Sequence, residues 1–390
     1  MRIGIDASTW WNRRGFGRFT RGLLQAMFAS PRDHDFCLFI DQPPEPEMVH
    51  PRVQIVEVET SRPVTKSAIA GDRRSVRDVR RFGRAAAAEQ LDLMFFPAVY
   101  SWFPVVGRIP TVVTLHDAIA ERFPALIFPD WKGRILSTLK TWLACRQASR
   151  FITVSEAAKQ EIVQYIGLRP ERIDVICEGV DSSFHPVAGE RRATALRKAG
   201  LPADGRLLLY VGGIAPHKNL SNLLTGFANV APRMPDLRLA IIGDPKGDGF
   251  LSNYHDVVTQ ANADARLRGR VHFTGFIADE DLAALYSDAL AAVQPSFSEG
   301  FGLPALEAIT CGTPVLASYG GATAEVVGTA GLTFDPYSPD DIGQQICRIA
   351  TEPRLLAKLR RNALVRARDY SWSKAAELTL TSLERCASGP

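Results

Sequence analysis

Short apolar runs alternate with helical patterns along almost the whole chain, and this alternation limits the fold more than any other feature of the sequence. The runs are rich in Val, Ile and Leu, which is typical of parallel strands buried on both faces. Regular alternation of this kind predicts an α/β fold with parallel sheets and right-handed crossovers. The runs lie at residues 2–7, 37–40, 53–58, 93–97, 111–117, 151–156, 173–179, 206–212, 237–243, 271–275, 290–296, 314–318 and 331–334.

The alternation is interrupted by the polar segment DSSFHPVAGERR at residues 181–192. A chain of 390 residues is long enough for two domains. We therefore predict two doubly wound, Rossmann-like domains, residues 1–186 and 187–368, which face each other across a cleft. Ligands of such sheets bind at the carboxyl ends of the strands.

The composition excludes several classes of protein. A net charge of +4 is too weak to indicate bulk affinity for nucleic acid. The sequence has no apolar run of about 18 residues, so no membrane-spanning helix is expected. The start, MRIGIDAST, has the pattern of a strand and turn rather than a signal peptide. Six scattered cysteines without a C-x-x-C pair argue against a zinc site and are typical of a reducing cytosol.

The segment SEGFGLPALEAITCGTPV at residues 298–315 has the pattern of a glycine turn followed by a short helix. Pro304 suits the first helical position, and Gly312 suits the position just past the helix end. The bare backbone at Gly300 and Gly302 lets amide groups approach a ligand closely. A helix N-terminus behind such amides is a ready anion site.

Two carboxylates, Glu299 and Glu307, flank this turn. An ionised carboxylate only accepts hydrogen bonds, so both suit the hydroxyl groups of a sugar or a ribose. The alternative is coincidence, because two glutamates eight residues apart are common and a glycine-rich loop before a helix is often only a turn.

A lysine, Lys218, stands between the strand candidate 206–212 with its Gly212-Gly213 turn and the next helix, for which Asn219 is a candidate N-cap. Lysine at this place is a point charge suited to a diphosphate. The alternative is an ordinary solvated surface lysine.

In the first domain, a Gly-x-Gly turn at residues 15–17 opens a helix after the first strand. It lacks the third glycine of a dinucleotide fingerprint but suits a phosphate-facing loop, where Arg14 and Arg18 face either phosphate or solvent. His116, at the end of run 111–117, could bond a sugar hydroxyl, although a lone histidine is more often structural.

A basic stripe at helical spacing lies in residues 73–84, with Phe128, Trp131, Lys132 and Trp142 further along the chain. Basic residues together with aromatic residues suggest a membrane-surface face. A solvated helix face is the alternative, and nucleic acid is third because no recognition motif accompanies the stripe. The stripe consists of Arg73, Arg77, Arg80, Arg81 and Arg84.

Five segments in this order resemble the motifs of the family 4 retaining glycosyltransferases, which have the GT-B fold. They are YVGGIAPHKNL, LAIIG, VHFTGFIADEDLAALYSDA, PSFSEGFGLPALEAITCGTPVLAS and AEVVGTAGLTFDP. The resemblance covers nearly the whole chain and is strongest between about residues 205 and 345. It implies an acceptor-side N-terminal domain, a nucleotide-sugar-binding C-terminal domain and, from RDYSWSKAA, a last helix at 369–390 that returns to the first domain.

The resemblance implies roles for single residues of the second domain. Glu299 should contact hydroxyls of the donor sugar, Glu307 the ribose and Lys218 the diphosphate. The loop at Phe276 and Ile277 should border the base. Sugar hydroxyls and the distal phosphate should be held by the backbone amides of Phe301, Gly302 and Leu303.

In the first domain, Gly17 should approach the phosphates and His116 should touch the donor sugar near its 6-position. The sequence departs from the family where Gly213 and His217 stand, since many members carry Arg at these places. It departs again at Glu178, because Asn or Pro commonly precedes Gly-Val-Asp.

The function implied is transfer of a sugar, with retention, from a nucleotide diphosphate sugar to a glycan or lipid-linked acceptor, without a cofactor or nucleic-acid partner. No Asp-x-Asp motif stands at a suitable place, so metal independence is expected. The segment His217-Lys218-Asn219 and the N-terminal glycine loop at residues 15–17 resemble bacterial mannosyltransferases of polysaccharide biosynthesis. GDP-mannose is thus the first expected donor, before UDP-glucose and UDP-N-acetylglucosamine.

Three rival functions remain open at this point: a glycoside hydrolase, a GT-B nucleotide-sugar epimerase and a non-catalytic nucleotide-sugar sensor. The expected location is the cytoplasm, in part on the inner face of the membrane.

Overall fold

The computed structural model describes residues 1–12, 15–67, 75–128, 130–244 and 252–389. These residues form two compact units. The first unit ends at Gly179 and resumes at Tyr370, while the second runs from Val180 to Asp369. The first boundary was expected at residue 186 and lies seven residues earlier, at 179. The second was expected at residue 368 and lies one residue later, at 369.

The first unit is built on a seven-stranded sheet in the order β3-β2-β1-β4-β5-β6-β7. All neighbouring strands are parallel, as the sequence predicts. The successive residues 93–96 of one strand are all fully buried, so both faces of the sheet are covered there, which is why the strands carry apolar residues almost continuously. The strands are β1 Arg2–Asp6, β2 Asp35–Ile40, β3 Val53–Glu57, β4 Leu93–Phe96, β5 Thr111–Thr114, β6 Arg150–Thr153 and β7 Ile173–Val175.

The helices of the first unit lie between these strands, and serine side chains fix two of their starts. Ser75 accepts a hydrogen bond from the amide of Asp78, and Ser155 accepts one from the amide of Ala158. The helix that begins after Ser155 continues into a π-helical turn at Ile162–Ile166. The helices are α1 Gly15–Ala29, α2 Val64–Ser67, α3 Val76–Ala88, α4 Ile119–Arg122, α5 Pro124–Ile127, α6 Trp131–Gln147 and α7 Glu156–Glu161.

The second unit is built on a six-stranded sheet in the order β10-β9-β8-β11-β12-β13, again parallel throughout. All six strands predicted after residue 205 are thus confirmed. The strands are β8 Arg206–Val211, β9 Leu237–Ile242, β10 Val271–Gly275, β11 Ala291–Gln294, β12 Val315–Ser318 and β13 Gly331–Phe334. The helices are α8 Glu190–Lys198, α9 Leu220–Val230, α10 Tyr254–Ala263, α11 Asp279–Asp288, α12 Leu303–Thr310, α13 Ala322–Val327, α14 Pro339–Thr351 and α15 Pro353–Arg366.

The final helix, α16 (Trp372–Ala387), belongs to the first unit. The Trp372 ring packs so closely on Gly22 that a Cβ there would lie 2.3 Å from it. The helix is also tied by polar contacts, since the Arg32 guanidinium lies 3.0 Å from the Glu377 carboxylate. His34 Nε2 lies 2.9 Å from Glu384 in the same way. The helix expected at 369–390 therefore completes the first unit.

Candidate functional site

The glycine turn and helix predicted from residues 298–315 are present at the exit of β11. Gly302 caps the start of α12 with φ of +108°, and a Cβ there would lie 3.0 Å from Thr323 Oγ1. Only glycine takes this conformation without strain. The helix begins at Leu303, so Pro304 occupies its second position rather than the first. Gly312, with φ of +80°, follows the C-cap as expected.

Lys218 and Glu299 form an ion pair in the second unit. Lys218 Nζ donates to both carboxylate oxygens of Glu299, at 2.6 Å and 2.8 Å. Ser296 Oγ donates a third hydrogen bond at 2.6 Å. The side chains of Lys218 and Glu299 are only 20% and 17% exposed. Glu299, predicted to bind the sugar, and Lys218, predicted to bind the diphosphate, are therefore in direct contact with each other.

The surroundings of Glu299 keep it ionised. Burial alone would raise the pKa of this carboxyl, but the charge and hydrogen bonds of Lys218, with the Ser296 hydroxyl, hold the pKa below its ordinary value. Two carboxylate oxygens offer about four acceptor positions, and these three hydrogen bonds occupy three of them. An ionised acceptor of this kind suits a ligand hydroxyl.

His217 does not replace the arginine that many members of the resembling family carry. The side chain is buried, and burial together with the neighbouring Lys218 charge lowers the pKa of His217 to about 4. It is therefore neutral at pH 7. Of the pair His217 and Lys218, only Lys218 supplies a positive charge there.

Asn219 holds the lysine turn in place by a route that the sequence did not indicate. It adopts a left-handed conformation, with φ of +58°, directly before α9. Its side chain makes no N-cap hydrogen bond, so the capping prediction is wrong in that respect. The amide instead donates to the backbone oxygens of Pro295, at 2.9 Å, and Pro336, at 2.7 Å. These bonds join the exits of β8, β11 and β13, which places Lys218 against Glu299.

Glu307 lies on α12, one turn after its start, and is 3% exposed. Tyr286 Oη lies 3.5 Å from Glu307 Oε2, at the long end of hydrogen-bond distance. Tyr286, which the sequence motifs did not indicate as a site residue, is itself fully buried. The carboxylate is therefore held inside the unit, and its contact with a ribose stays a prediction.

The backbone positions predicted to hold phosphate surround the start of α12. Gly300 and Phe301 are buried, whereas Gly302 and Leu303 are half-buried. Leu303 is the first residue of the helix, so its amide has no acceptor within the helix. An amide at this position can donate a hydrogen bond to an anion.

The remaining predicted residues of the second unit lie on loops after strands. Phe276 follows β10 and is 77% exposed, next to the half-buried Ile277. Gly213 follows β8 and is exposed, and a Cβ there would have no described atom within 4 Å. The missing arginine at Gly213 is therefore not a consequence of steric exclusion.

His116 is held by its own unit. Nε2 lies 2.9 Å from the carbonyl of Pro97, and Nδ1 lies 3.5 Å from Glu178 Oε1. The rings of Phe16 and Phe19 meet the imidazole edge-on, at 4.9 Å and 4.6 Å between centroids. The residue is 8% exposed. Both ring nitrogens therefore have partners, and its contact with a donor sugar stays a prediction.

Gly17 lies in the first turn of α1 rather than in a loop before it. A Cβ at this position would lie 1.7 Å from the backbone oxygen of Asn12. Glycine is therefore required for packing inside the unit, whatever its role toward phosphate. Arg14, the residue suggested beside this turn, lies outside the described residues.

The basic stripe is partly exposed on α3. Arg77, Arg80 and Arg84 are exposed, whereas Arg81 donates to the backbone oxygen of Glu59 at 2.7 Å. Arg73 lies outside the described residues.

Neither a metal cluster nor a membrane-spanning helix is found in the part of the chain that the structure describes. No group of three or more His, Cys, Asp or Glu side chains there could hold a metal ion. No helix in the same residues is both long and apolar enough to cross a bilayer.

Both halves of the chain match families of known proteins. Residues 13–184 match the family described as Glycosyltransferase Family 4, and residues 192–366 match Glycosyl transferases group 1. A D-inositol 3-phosphate glycosyltransferase of Frankia alni is 32% identical over 308 residues, which cover 74% of each chain. One of Streptomyces bingchenggensis is 31% identical over 281 residues, 70% of this chain, and the match spans only 60% of that relative.

The fold has close counterparts among solved structures. Anabaena Alr3699/HepE, solved in complex with UDP and glucose, superposes with a TM-score of 0.73. The superposition covers 98% of this chain and 99% of the other, at 19% sequence identity. This similarity shows the fold.

Proposed function

This chain belongs to the family 4 and group 1 glycosyltransferases, and we propose that it transfers a sugar from a nucleotide diphosphate sugar to an acceptor hydroxyl. The observation that carries the proposal is the ion pair of Lys218 and Glu299 beside the start of α12. The pair lies where the neighbouring strands β8 and β11 end, next to the first amides of α12. It combines a cation, Lys218, with a carboxylate, Glu299, that can accept hydrogen bonds from hydroxyl groups. These are the groups needed for a diphosphate and a sugar.

The catalytic contribution of this site is electrostatic. Negative charge grows on the leaving diphosphate as its bond to the sugar breaks, and groups already oriented toward that charge stabilise the transition state. Lys218 and the amides at Gly302 and Leu303 are proposed to act on the diphosphate. Glu299 is proposed to orient the sugar through its hydroxyls, and Glu307 to bind the ribose.

The proposed stereochemistry is retention, with the leaving phosphate as the base that deprotonates the acceptor on the same face. This assignment rests on the family, and it leaves both glutamates as binding groups rather than as acid and base. Proton NMR of the first-formed product reports the configuration of the new bond. An inverted product would contradict the proposal.

Metal independence is a further part of the proposal, and it is tested directly. Turnover after extensive dialysis against EDTA should equal turnover before it. Loss of turnover that Mg²⁺ or Mn²⁺ restores would contradict it.

The proposed donor is GDP-mannose, because the HKN segment and the N-terminal glycine turn resemble mannosyltransferases. A UDP-sugar is the second candidate, since the structurally similar HepE was solved with UDP and glucose. Ligand binding raises thermal stability by mass action. GDP and GDP-mannose should therefore raise the melting temperature, and a shift with UDP but not GDP would reject the mannose assignment.

The proposed acceptor is a glycan or lipid-linked glycan, as in polysaccharide assembly. Exposed Arg77, Arg80 and Arg84 on α3 support contact with an anionic membrane surface. A phosphorylated inositol is the second candidate, from the names of the relatives. Radiolabelled transfer from the preferred donor to each acceptor class distinguishes them, and donor binding without any transfer would favour a sensor.

A further inference from the structure

We propose that the stacked rings of Phe297 and Tyr337, in the second unit, form a platform on which a pyranose ring of the acceptor glycan lies. This inference rests on the proposed transferase function and deepens it, because it names side chains that select the acceptor. It is supported by the contact between the two rings, by the exposure of Tyr337 and by the position of both rings beside Glu299.

The two rings come from different strand exits and meet nearly face to face. Phe297 follows β11 and Tyr337 follows β13. Their centroids are 4.8 Å apart and their planes differ by 22°, which is a geometry that aromatic pairs favour. Phe297 is half-buried, whereas Tyr337 is 62% exposed. Most of the Tyr337 ring, apart from the side against Phe297, is therefore open to solvent.

The loop that carries Tyr337 is held by hydrogen bonds rather than by the stacked rings. The Pro336 carbonyl accepts from Asn219 Nδ2 at 2.7 Å and from Asn222 Nδ2 at 2.9 Å. The Tyr337 amide donates to Asp335 Oδ1 at 2.9 Å. The exposed ring is thus fixed in position before a ligand arrives, which lowers the cost of binding.

The backbone of Phe297 is tied to the turn that carries Lys218. The Phe297 amide donates to the backbone oxygen of His217 at 2.9 Å. Glu299 follows Phe297 by two residues and is bonded to Lys218. The stacked rings therefore lie beside the ion pair proposed to hold the donor sugar and the diphosphate.

The order of strands favours the acceptor over the nucleotide as the ligand of these rings. Phe276, in the loop expected to border the base, follows β10, which lies at one edge of the sheet. Tyr337 follows β13, which lies at the opposite edge, and β11 with Glu299 lies between them. A donor that extends from the β10 side to Glu299 leaves the β13 side to the next sugar, which is the acceptor.

The chemistry of two aromatic faces beside a carboxylate suits a sugar ring. A pyranose has C–H groups on its two faces and hydroxyl groups around its rim. The face of an aromatic ring is electron-rich and attracts such C–H groups, and covering both apolar surfaces removes them from water. A glycan can thus place a C–H face on Tyr337 while its hydroxyls stay available for hydrogen bonds.

The small area of the two rings argues against a protein as the ligand. An aromatic side chain buries about 150 to 250 Å², and part of each ring is already covered by the other. A stable protein interface buries about 800 Å² on each partner. One sugar ring, in contrast, is similar in size to the exposed face of Tyr337.

The test is saturation-transfer NMR on the full-length chain with methyl β-D-glucopyranoside and methyl α-D-mannopyranoside, in the presence of the nucleotide that raises the melting temperature most. Irradiation of the aromatic protons of the protein should saturate the protons on one face of the bound sugar. Tyr337→Ala should weaken glycoside binding about three- to tenfold. Tyr337→Phe should bind like the unmodified protein, because the stack uses the ring face and not the hydroxyl.

Tyr319→Ala is the matched control. Tyr319 is also an exposed tyrosine, at 60%, and it directly follows β12, the strand between β11 and β13. This variant should leave glycoside binding unchanged. Each variant should also keep the nucleotide-induced rise in melting temperature, which reports donor binding alone. Failure of that rise in the unmodified protein would count against the proposed function, whereas failure of glycoside binding alone would count against the platform.

Three results would overturn the platform. They are absence of saturation transfer to both glycosides, equal binding by Tyr337→Ala and the unmodified protein, and an equal loss of binding in Tyr319→Ala. If Tyr337→Ala instead abolishes the nucleotide-induced rise in melting temperature, the rings stack on the base and the assignment to the acceptor is wrong.

Discussion

Glu178 of the first unit and Glu299 of the second are both nearly buried, and they differ in the partner that faces them. Glu299 of the second unit is bonded through both oxygens to Lys218. Glu178 of the first unit faces His116 Nδ1 at 3.5 Å, and its side chain is 5% exposed. Glu178 Oε2 has no hydrogen-bond partner among the described residues.

The pKa values of the two carboxyls move in opposite directions. Burial raises the pKa of Glu178, and the weak contact with His116 offsets only part of that increase. Burial also acts on Glu299, but the Lys218 ammonium and the Ser296 hydroxyl reverse the shift and lower its pKa. A permanent cation at hydrogen-bond distance therefore decides which carboxyl stays ionised when both lose water. This difference supports the proposed contact of Glu299 with ligand hydroxyls and supports no such role for Glu178.

The largest test of this comparison is the pair of substitutions Glu299→Ala and Glu178→Ala. Loss of a preoriented site group costs about 2 to 4 kcal/mol in the transition state, so Glu299→Ala should lower kcat/KM about 30- to 1,000-fold. Glu178→Ala should lower it much less, because Glu178 has no proposed contact with the donor. Initial rates with the preferred donor measure both, and near-normal turnover of Glu299→Ala would remove its assigned role.

A second prediction concerns the ion pair itself. Lys218→Met should destabilise the second unit by about 1 to 3 kcal/mol, because it leaves a largely buried carboxylate without its charged donor. Glu299→Gln in the same chain should restore much of that loss, since no charge is then left unpaired. Chemical denaturation of the two single variants and the double variant gives the coupling. Additive losses would show that the pair is not the stabilising contact.

A third prediction is the opposite pH dependence of the two glutamates. The pKa of Glu178 is raised above its ordinary value of 4.5, so the folded chain holds that proton longer and stability falls as pH rises through the folded pKa. The pKa of Glu299 is lowered, so its contribution is present above 4.5 and is lost as pH falls through the folded pKa.

Melting temperatures between pH 3 and pH 8 check this sign. Glu178→Gln should gain stability relative to the unmodified protein as pH rises, by about 1 kcal/mol or less. Glu299→Gln should lose relative stability as pH rises to about 5 and should change little above that. Parallel curves for the two variants would mean that their surroundings do not differ as described.

The sequence predicted the sheets well because parallel strands are buried on both faces and therefore have a continuous apolar signal. Predicted runs such as 206–212 and 271–275 correspond to β8 and β10 within a residue or so. The helix after Gly302 was predicted from Pro304 near its start and Gly312 past its end, and Gly312 has the left-handed backbone that favours glycine.

Contacts between distant segments were not predictable in the same way. Nothing in the spacing of Lys218 and Glu299, 81 residues apart, indicates that they bond to each other. The same holds for Asn219, whose side chain bonds two carbonyls from other strand exits instead of capping its own helix. These contacts depend on the order of strands in the sheet, where β8 and β11 are neighbours. The alternation along the chain does not contain that order.

The smallest predicted effect tests whether the single charge of Lys218 limits donor binding. Gly213 replaces an arginine common in the family, and open space surrounds the position of its Cβ. Gly213→Arg should therefore be accommodated and, as an exposed cation near a diphosphate, should tighten donor binding about threefold. Calorimetry with the preferred nucleotide measures this, with Gly213→Gln as a control of similar length and no charge. Equal affinities for the two variants would mean that Lys218 and the helix amides already neutralise the diphosphate.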